Sequence, residues 1–467
     1  MKSSKTLAAL VTLGLAAAAA TPAMALEHQI SGAFTSYYDL SNYSAAGNDG
    51  FATNSKGLST DAKTENYFAQ RVRLDYTAKA NENVKLVTKF ELDYNYWGNS
   101  SYTAAGGGGA ALGADTINLE TKNLYLDLNV VKGLNAKIGM QGYTDAFKGI
   151  IFDADMAGIL LTHAYDKAAV SAGFFRFGDT SAASKLGKYT HDMFSMDGKY
   201  NISKDITVGA AYYYIADNRD NGSTITPSAL PTGQAADGTP IYATTTTFTS
   251  SANPRNDTKV HTFGLNGETT VGPLILNGFA VAQFGDIGTV NNTNKAKGYA
   301  LNVGAKLPLA GGTARAALLY AGGGKNSLYH VATAEGGFYF DNEMTILGRD
   351  KNATSIDNAI VFDANNYNQG VIFASVGYDY EFTQKLSGSA NLGFASAAKT
   401  DKSVTDNKSD YLGTEINCEA NYKLMPAVTL GARAGYVVLG DYFKSNTGAH
   451  GTYDNPYDIK LIAKYAF

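Results

Sequence analysis

The stretch Phe68-Ala69-Gln70-Arg71-Val72-Arg73-Leu74-Asp75-Tyr76-Thr77-Ala78-Lys79 decides the fold. Phe68, Val72, Leu74, Tyr76 and Ala78 fall on one parity, and Arg71, Arg73, Asp75, Thr77 and Lys79 on the other. Asn81-Glu82-Asn83 turns the chain, which returns with Val84, Leu86, Thr88, Phe90, Leu92 and Tyr94 against Lys85, Lys89, Glu91, Asp93 and Asn95. Successive side chains of a strand point to opposite faces, so each of these strands is apolar on one side and ionised on the other.

Working outward, the same period of two recurs to the last residue. A soluble sandwich also alternates, but many runs here last about 10 to 14 residues, enough to cross hydrocarbon at a barrel tilt, where soluble strands average ~5–6. Tyr and Phe recur near the run ends, and rings suit a membrane interface. Very short turns alternate with long polar connections, the asymmetry of transmembrane barrels.

Eight short turns centre on Asn81–Asn83, Val131–Gly133, Asp166–Lys167, Ser203–Asp205, Val271–Pro273, Pro308–Gly312, Thr383–Lys385 and Met425–Ala427. Eight hairpins with a first and a last strand predict an all-β, antiparallel transmembrane barrel of 18 strands. Sixteen is the alternative if one hairpin lies outside the barrel. Either size encloses water. Residues 217–258 and 322–369 read as long outer loops, and Gly106 to Gly109 as a mobile loop tip.

The start of the chain reads differently. Lys2 and Lys5 precede an apolar run from Leu7 to Ala20, Pro22 breaks it, and Ala23-Met24-Ala25 has the form of a cleavage site. Residues 1–25 are therefore expected to be a signal peptide and 26–467 one barrel. The formal charge of −4, or −6 without Lys2 and Lys5, argues against a nucleic-acid partner. Cys418 is the only cysteine, so no internal disulfide forms. It alternates with Ile416, Ala420 and Tyr422 and is expected to face lipid, and Trp97 is expected to anchor the outer end of its strand.

At the C-terminus Tyr457, Ile459, Leu461, Ala463, Tyr465 and Phe467 alternate to the end. A closing strand must pair with the first, because unpaired backbone in lipid is costly. Here the chain resembles the Gram-negative outer-membrane porin superfamily, in which Phe467 and Tyr465 look like the signal read by the barrel-assembly machinery. The order of first strand, long loop, Arg71-Val72-Arg73 hairpin, turn at Gly133 and long third connection is most similar to the homotrimeric porins of anaerobic metal- and sulfate-reducing proteobacteria. That resemblance implies a homotrimer in outer-membrane lipid and lipopolysaccharide. It also implies a third loop folded into the pore, with acids facing basic wall residues. The matching stretch is Tyr143 to Gly158, which carries Asp145, Asp153 and Asp155, with Ile150, Ile151, Phe152 and Met156 available to pin it to the wall.

Arg71, Arg73, Lys89, Arg176 and Arg433 are the expected basic residues of the pore wall, with Arg315 a further candidate. Lumens are polar throughout, so the competing reading is that such charges only solvate the wall. Facing acids and bases filter solutes by charge as well as diameter.

Other motifs fail on spacing. Gly322-Gly323-Gly324-Lys325-Asn326 lacks the Ser/Thr and helix of a phosphate loop. Asp217-Asn218-Arg219-Asp220-Asn221-Gly222 is similar to a calcium loop but breaks its ligand order. No cofactor is expected, calcium in that loop being the alternative. The functional readings are passive diffusion of small hydrophilic solutes, a substrate-specific channel for sugars or anions with Tyr125 and Tyr213 as an aromatic track, and an adhesion or scaffold barrel. An enzyme on a barrel lacks any supporting Ser-His or acid-His spacing.

Overall fold

A computed structural model describes residues 26–43, 58, 62–98, 119–181, 186–219, 233–234, 240–241, 257–289, 292–329, 343–349, 359–400, 409–444 and 453–467. The expected signal peptide and the Gly106–Gly109 tip lie outside them.

Eighteen strands close on themselves. In chain order they are β1 (Glu27–Ser41), β2 (Glu65–Asn81), β3 (Val84–Tyr96), β4 (Glu120–Val131), β5 (Leu134–Thr144) and β6 (Asp153–Ala164). There follow β7 (Ala168–Asp179), β8 (Thr190–Asn201), β9 (Ile206–Asp217), β10 (Thr258–Val271), β11 (Leu274–Thr289) and β12 (Tyr299–Leu309). The last six are β13 (Gly312–Ala321), β14 (Val371–Glu381), β15 (Leu386–Ser396), β16 (Tyr411–Met425), β17 (Val428–Leu439) and β18 (Tyr457–Ala466). A short strand, Asn292–Ala296, folds back on the end of β11 outside this count. Each barrel strand pairs antiparallel with its sequence neighbours, and β18 pairs with β1 from Ala33↔Ala466 to Ser41↔Asp458. The count is eighteen, not sixteen.

All eight expected turns join hairpins of two to four intervening residues. In the β12–β13 turn Ala310 and Gly311 have φ of 50° and 83°, the left-handed pair that suits the twist of a two-residue hairpin. The start of β1 and the end of β18 lie on this short-turn side, since Glu27 pairs with Lys79 beside the β2–β3 turn and Phe467 bonds to Gly32.

The outer wall is apolar by alternation. Ile30, Val303, Ile416 and Leu461 are 69, 59, 61 and 56 % exposed, levels that make sense for these residues only against lipid. Aromatic runs border this band. Toward the long-loop end Tyr38 packs on Phe68 and Phe68 on Trp97, each at 4.8 Å between ring centroids. A second run there passes through Phe174, Phe194, Tyr214, His261 and Phe284. At the short-turn end Tyr378 stacks on Tyr380, which meets Phe382 edge to face, and Tyr465 stacks on Phe467. Rings at both rims hold the barrel at its depth. Cys418 is exposed on the same face as Ile416, as expected.

The lumen is not uniform along its axis. Toward the long-loop end it is narrowed by a buried apolar cluster packed on the wall, which includes Phe147, Ile150, Phe152, Phe175, Tyr213, Met344, Ile346 and Val361. Two connecting segments supply much of it.

Candidate pore wall and constriction

The third long connection is residues 145–152, shorter than the Tyr143–Gly158 stretch read from sequence. It folds inward. Phe147 is fully buried against Tyr213 (5.9 Å) and Phe279 (5.7 Å). Those two residues alternate with exposed Tyr212 and outward Ala280, so they mark the lumen face of β9 and β11. The wall makes room for the ring at Gly264, where a Cβ would stand 2.5 Å from Phe147 Cζ. Ile150, Ile151, Phe152 and Met156 are all buried, as expected of a loop pinned to the wall.

Asp145 shapes the loop. Its Oδ1 accepts hydrogen bonds from the amides of Phe147 (2.6 Å) and Gly149 (3.1 Å), and its Oδ2 from Ile151 (2.6 Å) and Phe152 (2.8 Å). The Tyr213 hydroxyl accepts from the amide of Ala146 at 2.8 Å. Burial pushes the Asp145 carboxyl up to about 6, opposed by the four backbone donors. The residue works on the backbone around it rather than on the open passage. Tyr213 likewise holds the loop instead of lining a solute track. Tyr125 does face the lumen, with the Lys137 ammonium 5.5 Å from its ring centroid.

Asp153 and Asp155 stand on the first residues of β6, not in a loop. Asp153 accepts a hydrogen bond from Thr144 Oγ1 at 2.5 Å. Asp155 accepts one from Asn123 Nδ2 at 2.7 Å and pairs with Lys122 at 3.3 Å. Lys122 also reaches Glu91 at 3.4 Å, and Glu91 is held by Arg71 (2.9 Å) and by Arg73. The acid beside Arg73 is thus Glu91 of the adjacent strand, and Asp155 joins that cluster through Lys122.

The other wall cations are also paired across neighbouring strands. Lys89 meets Asp75 at 3.2 Å, Lys85 meets Asp127 at 3.1 Å, and buried Arg433 lies 3.8 Å from Glu419. Lys460 contacts Asp39 at 3.1 Å and also Asp458, all three buried at the closure of the barrel. Arg176 differs from expectation. It alternates with fully buried Phe175, so it sits on the outer face over Phe174, where Asp192 binds it through two hydrogen bonds of 2.8 and 3.0 Å. The bulge between Arg176 and Gly178 comes after this position, and strand parity alone did not fix which member of the Phe175/Arg176 pair turns inward.

Part of the 322–369 stretch read from sequence as an outer loop instead folds inward, and residues 343–349 form a second inward segment. Glu415, fully buried on the lumen face of β16, receives it. Oε1 accepts from the Thr345 amide (2.9 Å) and hydroxyl (3.0 Å), and Oε2 from the amides of Ile346 (3.0 Å) and Leu347 (2.6 Å). Asn417 donates to the Glu343 carbonyl at 2.9 Å. Ile360 and Val361 bond to the carbonyls of Ile346 and Leu347 and cover the far side. The lumen parity of Glu415 was legible, but its backbone partners come from a stretch with no strand period.

The two inward segments meet over β11–β14. Lys148 Nζ donates to Asn277 Oδ1 at 2.8 Å, and Glu343 pairs with Arg315 at 3.1 Å. Lys148, Asn277, Lys306, Arg315, Glu343 and Ser375 line one cleft. Arg315 is fixed from below by Asp379, at 2.6 and 2.7 Å. Of the stretch similar to a calcium loop, residues 220–222 lie outside the described residues, and Asp217 accepts two side-chain hydrogen bonds from Arg219, of 2.9 and 2.8 Å. Among the described residues no group of three or more His, Cys, Asp or Glu is placed to hold a metal ion.

No family model and no curated protein matches the chain. Solved structures do match along nearly its whole length. The Pseudomonas aeruginosa protein OpdL superposes with a TM-score of 0.54 at 11% identity, covering 94% of this chain and 99% of that one. OccK5 (OpdH) of the same organism gives 0.52 at 12%, covering 94% and 98%. The outer membrane protein OpdK, solved with vanillate, gives 0.51 at 11%, covering 94% and 98%. At such identity the likeness is one of fold.

Proposed function

We propose that the chain is an outer-membrane channel through which small hydrophilic solutes and ions diffuse passively. The observation that carries this is a closed 18-stranded barrel with an apolar, aromatic-bordered outside and a lumen lined by charged side chains. Such a wall encloses water, and a water-filled passage lets small solutes and ions cross. Purified barrel added to a planar lipid bilayer is expected to give discrete ohmic current steps. Absence of any step from heat-stable, folded protein would sink the channel.

A substrate-specific channel is the second reading, favoured by the narrowing from two inward segments that bring both signs of charge to one cleft. The solved complex of OpdK with vanillate supports trying aromatic carboxylates beside sugars as blockers. Concentration-dependent current block by one solute class, with others inert, selects this reading over unselective diffusion. The wall residues Arg71, Arg73, Lys89 and Arg433, with Asp155 in the Glu91 cluster, belong to the same proposal as the charged lining.

The same reading takes residues 1–25 as an export signal removed before assembly. It takes Phe467 and Tyr465 as the mark recognised by the assembly machinery, and homotrimers in lipopolysaccharide-containing membrane as the assembled form. Mature N-terminal sequencing and the mass of the detergent-extracted particle test these points separately.

A further inference from the structure

Glu343 stands where two independently held segments meet, and its placement depends on a residue that no solute can touch. Its φ is 58°, a left-handed conformation that a non-glycine residue adopts only when held. Asn417 and Glu415 do the holding, through the Glu343 carbonyl and the amides of Thr345, Ile346 and Leu347. The wall is shaped to accept the segment as well. At Gly393 a Cβ would lie 2.2 Å from Met344 Sδ, and at Gly435 it would lie 2.7 Å from Thr345 Oγ1. A glycine at each contact and a buried carboxylate between them make a fitted socket on β15–β17.

We infer that Glu343 is a selectivity-determining acid of the constriction and that Glu415 is the positioning residue that sets it there. Glu343 presents its carboxylate to the cleft it shares with Lys148, Lys306 and Arg315. The acid on one inward segment and the Lys148 ammonium on the other give the passage a transverse field, to which permeating ions respond. Glu415 has no exposed surface, so no solute touches it, and its four hydrogen bonds to the segment are what place Glu343. Charge-assisted hydrogen bonds to backbone amides are short and strong, and the segment has no strand ladder to the wall in their place.

The inference rests on the channel reading, and reversal potentials across a KCl gradient test both. Glu343→Gln is expected to lower cation relative to anion permeability about two- to fivefold in dilute salt. The effect should shrink toward 1 M, where the Debye length falls from ~10 Å at 0.1 M to ~3 Å. Glu415→Gln should shift selectivity in the same direction, and should add little in the Glu343→Gln background. Gly393→Ala removes no charge but takes the space of the buried Met344 side chain, so a shift in the direction of Glu415→Gln is expected. A conducting Glu343→Gln channel with wild-type selectivity overturns the assignment. A shift in Glu343→Gln with none in Glu415→Gln or Gly393→Ala overturns the positioning role. A folded wild-type barrel that carries no current fails the channel reading instead, a result distinct from either.

Discussion

Gly32 and Phe467 exchange backbone hydrogen bonds in both directions, Gly32 N to Phe467 O at 2.8 Å and Phe467 N to Gly32 O at 3.0 Å. This pair seals the short-turn end of the barrel, with the Phe467 ring stacked on Tyr465 at the rim. A Cβ on Gly32 would stand 2.4 Å from the Arg73 carbonyl and 2.9 Å from Phe467 Cζ, so the first strand is smooth where the last residue crosses it.

Removing that contact should impair closure. Deletion of Phe467 leaves the Gly32 amide and carbonyl without partners at a lipid-facing seam, where unpaired backbone groups cost several kcal/mol each. The expected result is an exported chain that inserts poorly, read as loss of the heat-stable band in outer-membrane fractions. Gly32→Val should act likewise through the Arg73 carbonyl. Normal membrane levels of both variants would count against the seam as an assembly determinant.

The facing of the wall can be tested with one arginine on each side. Leu74 pairs with Gly32 and Phe90 and lies between the inward Arg73 and Asp75. Leu74→Arg places a cation in the lipid band at a cost of ~2–4 kcal/mol near the midplane. Asn129 is exposed on the lumen parity, bonded to the Glu82 carbonyl at 2.9 Å. Asn129→Arg should be tolerated. Equal loss of heat-stable barrel in both would refute the inside–outside assignment.

The period of two in the sequence carried the fold almost entirely. Every short turn, the strand count and the outward parity of Leu74 and Cys418 could be read from it, because a strand in lipid has no other way to satisfy its backbone and hide its charges. Trp97 has the parity of Lys89 and Glu91 and turns outward only because the β2–β3 pairing shifts register between Gln70 and Val72. The site was less legible. Asp145, Ile150 and Phe152 marked the inward loop, but the role of Asp145 depends on four amides that a folded turn brings to one carboxylate. Glu415 is one of two lumen acids on β16, with Glu419, until the 343–349 backbone is seen bound to it. Arg176 shows the limit of parity near a strand end, where a rim charge and a wall charge have the same local sequence.

Loop docking should depend on pH through Asp145. Its carboxyl is pushed up to about 6 in the docked loop, against ~3.9 for a free aspartate. The docked state therefore holds the proton more tightly than any state that releases the loop to water. Docking is favoured most below pH ~4 and loses up to ~3 kcal/mol as pH rises through the window from ~4 to 6. Current noise and transient large openings should accordingly be rarer at pH 4.5 than at pH 7.5. Asp145→Asn removes the titration, so an unchanged pH response in that variant would clear Asp145 of the effect.

Lys148 provides the opposite pole to Glu343. It sits at φ 63° on the tip of the inward loop, with its ammonium fixed on Asn277 at 2.8 Å. Neutralising it by Lys148→Gln leaves the carboxylate of Glu343 and removes a cation from the cleft the two residues line. Counter-ions then redistribute toward cations, and the reversal potential should move opposite in sign to that of Glu343→Gln. Because Gln retains a donor for Asn277, the loop keeps its anchor, so the change is one of charge rather than of aperture. Conductance in concentrated salt should stay near wild type, since screening there has a range of only ~3 Å. In the double variant the two shifts should largely cancel. A selectivity change of the same sign for Lys148→Gln and Glu343→Gln would mean that the variants act by widening the passage, and the transverse field would lose its support.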